Sequence, residues 1–72
     1  MSHRRVYQVV VTGRVGSAIA ASFAPLAVHS ENGETTISGG RLDAAMLGGV
    51  LRTIERMGLE LVAIRSHVVD DA

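Results

Sequence analysis

The first apolar segment, Val6-Tyr7-Gln8-Val9-Val10-Val11-Thr12, is dense in β-branched residues and closes at Gly13, which predicts a strand. Its alternate sets, Val6/Gln8/Val10/Thr12 and Tyr7/Val9/Val11, are both largely apolar, so the strand is expected to be central or covered on both sides. Ser17–Phe23 follows Gly16 and stops short of Pro25, with Ile19 and Phe23 four apart on one helical face. The residue before a proline resists helical geometry, so a helix of at most two turns is predicted. Leu26–Ser30 and Thr35–Ser38 then flank Glu31-Asn32-Gly33-Glu34. Asn-Gly tolerates positive φ at both positions of a type I′ turn, so the two runs form a hairpin. That register sets Val28 opposite Ile37 on one face and His29 opposite Thr36 on the other.

Asp43 is placed to cap a helix, with Leu42 and Leu47 at the hydrophobic positions on either side of the cap. Leu47, Val50, Leu51 and Ile54 recur at helical spacing, while Arg52, Thr53, Glu55 and Arg56 point to water. Gly58 supplies the left-handed stop, which bounds the longest helix at Asp43–Met57. Leu59–Arg65 reads as the last strand. The order is therefore strand, short helix, strand, strand, long helix, strand. We read it as an α+β chain with a ferredoxin-like split βαβ (βαββαβ) arrangement: a four-stranded antiparallel sheet with one long helix on one face.

One helix covers only one side of such a sheet. In the last strand Leu59, Leu61 and Ala63 point one way and Val62 and Ile64 the other, and the first strand is also apolar both ways. An uncovered face of that character exceeds what monomers usually expose. A homodimer, face to face or edge to edge, is expected, with Tyr7, Val9, Val62 and Ile64 as interface candidates.

Composition strengthens that expectation. The 72 residues suffice for one small domain, with an ordered core of about residues 5–66. The apolar fraction of 47% suits a globular chain. Ordering so short a chain costs on the order of 100 kcal/mol, which its burial barely offsets. There is no cysteine, so neither disulfides nor thiolate zinc sites can help, and self-association is the remaining remedy. Seven basic and seven acidic residues balance, giving no field for nucleic acid or an anionic membrane. The basic Ser2-His3-Arg4-Arg5 and acidic Asp70-Asp71-Ala72 are expected to be solvated tails. Tyr7 and Phe23 are the only aromatic residues, too few for a base-stacking platform. Met1–Thr12 lacks the continuous apolar run of a signal peptide, and no run approaches a membrane span. A cytoplasmic protein is expected.

The chemistry-bearing candidates are sparse. Gly13-Arg14-Val15-Gly16 after a strand invites a phosphate-cradling reading, but it matches neither glycine-rich fingerprint and no long helix follows. A turn with a solvated arginine is the stronger reading, and Arg14 is kept as a ligand-binding candidate. His29, on the hairpin's Thr-rich face, is the second candidate and would be a general base if a pocket formed over it. His3 and His67 fall in expected frayed ends and no His pair stands at i,i+4 spacing, so no metal site is predicted. Gly48-Gly49 sits in mid-helix, where each glycine costs about 1 kcal/mol relative to alanine. Close packing of a backbone, from the sheet or from a partner helix, against the small-residue stripe Ala44/Ala45/Gly48 is favoured over a bend or a ligand contact. No nucleophile elbow is present. No catalytic residue and no cofactor are assigned.

The turn after the first strand resembles that of the acylphosphatases, which also have a Gly-Arg-Val turn there and share the split βαβ fold. That family continues through Gln-Gly-Val to a phosphate-binding arginine, where this chain has Gly16-Ser17-Ala18-Ile19-Ala20. Its catalytic asparagine lies on the strand that corresponds to Leu26–Ser30. Both catalytic positions are missing, so the resemblance implies the fold and not the activity. Over Tyr7–Ile64 the chain also resembles a group of short actinobacterial α+β proteins of unknown function. The matching residues are Gly13-Arg14, Phe23, Leu26, Gly33 with Thr35-Thr36, Gly39, Asp43, Ala45, Leu47, Leu51 and Gly58-Leu59. Ile19 and Ser22 stand where that group usually carries tryptophan, and the resemblance implies no activity.

Two function classes follow. The first is a dimeric binding or accessory module for a protein or small molecule. The alternative is a small oligomeric enzyme, isomerase- or cyclase-like, with a pocket between sheet and partner and His29 with Glu31 or Arg14 as acid–base groups.

Overall fold

A computed structural model describes residues 2–71 of the chain and the side chains of residues 3–70. The elements are β1 (Ser2–Thr12), α1 (Ser17–Ala21), β2 (Ala27–Glu31), β3 (Glu34–Ser38), α2 (Ala44–Arg56) and β4 (Leu61–Asp71). The strands form one antiparallel sheet in the order β2-β3-β1-β4. The chain is thus α+β, a four-stranded antiparallel sheet with helices.

The hairpin forms as its turn dictates. Asn32 and Gly33 both have positive φ, at 54° and 78°, and Val28 pairs with Ile37 and His29 with Thr36. Thr35 is fully buried, yet satisfied. Its hydroxyl donates to the Gly13 carbonyl at 2.6 Å and lies 2.7 Å from Ser30 Oγ. This small network ties the hairpin to the end of β1, where Gly13 N–H also donates to the Gly33 carbonyl at 2.7 Å.

The long helix keeps its expected ends. Asp43 Oδ1 accepts from the Met46 N–H at 3.0 Å, which satisfies one otherwise unpaired donor. At the other end Gly58 N–H donates to Glu55 O and Leu59 N–H to Ile54 O, with Gly58 at φ 72°. That bond pair is a Schellman motif. It takes Leu59 into the helix cap, so β4 starts at Leu61 instead of Leu59. Val50 and Ile54 are buried against the sheet, with Met46, Leu47 and Leu51 packed partly against the same cluster. That cluster also holds Val9, Val11, Ile37, Leu42, Phe23 and Leu26, with Ile19 of the short α1 beside it.

The first and last strands are longer than the pattern predicts. β1 begins at Ser2 and β4 runs to Asp71, because Ser2–Arg5 pair with Val68–Asp71. The segments expected to be solvated tails are instead a two-stranded ribbon, in which His3 Nδ1 and Asp70 Oδ1 hydrogen-bond. His3 and His67 therefore lie in strands and not in frayed ends. Ala72, the last residue of the expected acidic tail, lies outside the described residues.

The sheet face away from α2 is not the broad apolar surface that alternation suggests. Residues directly opposite in antiparallel strands share a face. Val10 therefore lies between Thr36 and Ala63, Val6 beside His67, and Gln8 between Ser38 and Arg65. Val10 is buried all the same between its neighbours on β3 and β4, and Val6 beside β4 and the Gly39–Gly40 loop. The large apolar residues that remain exposed are Leu61, Val62, Ile64 and Val68, all on β4.

Candidate functional site

The loop between β3 and α2 does not leave the sheet at once. Leu42, wholly buried, accepts from the Tyr7 N–H through its carbonyl at 2.8 Å. This bond fixes the start of α2 beside β1, and Gly40 and Arg41 stand above it. On the other side, the turn after α1 carries Phe23 and Leu26 into the core through the cis Ala24–Pro25 bond. Between this turn, the 40–41 loop and α2 lies an open cleft of about 870 Å³. That volume falls within the range of small-molecule sites.

Phe23, Leu26, Met46 and Val50 supply the cleft's apolar lining. Its charge comes from Arg4, Arg41 and Arg52, against Asp43 as the single carboxylate. Leaving Arg4 aside, Arg41 and Arg52 still outnumber the one carboxylate at this cleft, in a chain whose net charge is zero. Asp43 is already engaged as the helix cap, and Arg4 Nη1 donates to the Gly40 carbonyl. All seven basic residues of the chain are arginines, the side chain whose planar fork suits carboxylate and phosphate oxygens.

Gly49 also lines the cleft. Packing inside the chain does not explain the glycine pair: a Cβ on Gly49 would meet nothing within 4 Å, and one on Gly48 only Arg52 Nη1 at 3.9 Å. No backbone of sheet or loop lies within 4 Å of either Cβ position. Packing within the chain therefore does not account for the pair, and Gly49 leaves a bare stretch of helix on the wall of a charged cleft.

The residues singled out in the sequence are placed elsewhere. Arg14 is exposed in the turn after β1, and the five-residue α1 behind it is one turn long. His29 is exposed on edge strand β2, with Nε2 3.0 Å from Glu31 Oε1. Neither lines the α2 cleft. Of the interface candidates, Val9 is wholly buried beneath α2 and Tyr7 packs partly against the same core, whereas Val62 and Ile64 are exposed. No three His, Asp or Glu side chains come together as a metal ion would require, among the described residues. No helix among them is long and apolar enough to cross a membrane. Sequence reasoning missed Arg4, Arg41 and Arg52, which stand on a strand, a loop and a helix with no shared spacing. Gly49 of the glycine pair was the one local anomaly that lies on their cleft.

The family described as Domain of unknown function (DUF8691) matches the chain over residues 6–65. The match spans most of the chain, from the apolar part of β1 into β4, and the protein belongs to this family. Neither the curated proteins nor the solved structures searched gave a match.

Proposed function

We propose that this member of the family is a small binding module whose α2 cleft takes an anionic small molecule with an apolar body. The excess of arginine over carboxylate in the cleft carries the reading. Guanidinium groups at a partly apolar cleft give orientation and charge selection, while Phe23, Met46 and Val50 give contact area. Gly49 adds room for a ligand to lie against helix backbone. The strand order β2-β3-β1-β4, with β3 between β1 and β2, supports reading the scaffold as the ferredoxin-like split βαβ arrangement with a stunted first helix. Such a scaffold would hold the cleft between its second helix and the turn after its first.

Phenyl phosphate combines both features and serves as the probe. In an NMR titration the amides of Gly40, Ala45 and Gly49 should shift together, and Arg41→Ala with Arg52→Ala should weaken binding at least tenfold. Absence of shifts at millimolar probe would end the reading. So would shifts confined to the surroundings of Arg14 and His29.

A further inference from the structure

The sheet has two edges, and they are treated differently. β2 is five residues long, is preceded by Pro25, and carries His29 and Glu31 on one face. Those are the usual protections of an edge. β4 is eleven residues long, has no proline or lysine, and bonds to β1 on one side only. About half of its N–H and C=O groups therefore point away from the sheet. Its irregularity, where Val10 pairs with Ala63 but Val11 with Leu61, is confined to one end. Beside this open backbone Leu61, Val62, Ile64 and Val68 are 45%, 47%, 41% and 54% exposed. Ile64 lies opposite Val9 and Val68 opposite Arg5, so both are on the helix-side face, beyond the strip that α2 covers.

We infer that β4 is the homodimer interface, pairing antiparallel with β4 of a second copy to make a continuous eight-stranded sheet. The occupant is a second copy because the strand complements itself. A two-fold axis through Ser66 is the one arrangement that pairs β4 along its full length. It sets Ile64 against Val68 twice on the helix-side face and Ala63 against Val69 twice on the other, with Val62 facing Asp70 and Arg65 facing His67. Shifting the axis to Arg65 would set two guanidinium groups against each other, and shifting it to His67 would leave Leu61 and Val62 outside the paired length of β4. Like charges directly opposite are destabilising, so the Ser66 register wins. Pairing of this length supplies about ten main-chain hydrogen bonds, the number a specific protein interface carries. The inference is independent of the cleft reading, because β4 contributes no residue to the cleft.

The test combines mass and cross-linking. By sedimentation equilibrium near 50 µM the native chain should weigh twice its 7.6 kDa. Ile64→Lys and Val68→Lys, both at exposed positions, should each weaken the dimer at least tenfold with an unchanged circular-dichroism spectrum. The chain has no cysteine, so single introduced thiols report cleanly. Opposed Cα atoms on the axis stand about 4.5–5.5 Å apart, within disulfide reach. Ser66→Cys should therefore cross-link under copper-phenanthroline, and His29→Cys on the other edge should not. A monomer at this concentration, an open series of higher oligomers, or a dimer indifferent to both lysines would overturn the inference. Preferential cross-linking through His29→Cys would do the same.

Discussion

Replacing Gly48 and Gly49 by alanine asks whether the helix carries a flaw for the sake of its cleft. A glycine inside a helix is less favourable than alanine by about 0.5–1 kcal/mol, partly through the greater freedom of the unfolded chain. That gain is realised only if the new methyl fits. At Gly49 it meets nothing within 4 Å, and at Gly48 it meets the far end of Arg52 at 3.9 Å, an ordinary contact. Neither residue has positive φ. The Thr53 hydroxyl that donates to the Gly49 carbonyl at 3.0 Å engages backbone alone, so it survives the change. Together the substitutions should stabilise the fold by about 1–2 kcal/mol, which for a domain of this size raises Tm by roughly 5–15 °C. Urea and thermal unfolding followed by circular dichroism, at one fixed protein concentration because association also raises Tm, measure this. Loss of stability in either single variant would refute the reasoning, since it would mean that something not accounted for by the chain's own packing needs the space. The same double variant should bind phenyl phosphate more weakly if the cleft uses the bare helix wall. Gain of stability with loss of binding separates a functional glycine pair from an incidental one.

Thr35→Val removes the hydroxyl that donates to Gly13 O while keeping the side chain's shape. With that carbonyl left unpaired, the variant should lose about 1–3 kcal/mol in chemical denaturation, and Thr35→Ser should restore most of it. Asp43→Ala removes the acceptor of the Met46 N–H and should cost about 1 kcal/mol, whereas Asp43→Asn should keep most of the cap's contribution. An Asp43→Ala protein as stable as the parent would show that the cap bond does not act in solution.

Local chemistry made several elements legible from the sequence. Asn32-Gly33 specified the hairpin and its register, because positive φ at both turn positions permits little else. Asp43 and Gly58 bounded α2, because unpaired groups at helix ends are met by neighbours in sequence. The spacing of Leu47, Val50, Leu51 and Ile54 showed which face the helix would bury. Tertiary structure decided whatever depended on residues distant in the chain. Ser2–Arg5 became strand only because Val68–Asp71 lie beside them. Val10 was hidden by the strands on either side, and Val6 by β4 and the loop after β3, not by a second layer, which moved the exposed apolar surface from a sheet face to the β4 edge. Arg4, Arg41 and Arg52 share no motif, and only the approach of the 40–41 loop to α2 gathers them at one cleft. The glycine pair was visible as an anomaly from the start. Its meaning required knowing that the space beside it is empty, and an empty space is a property of the folded chain, with no counterpart in any local run of residues.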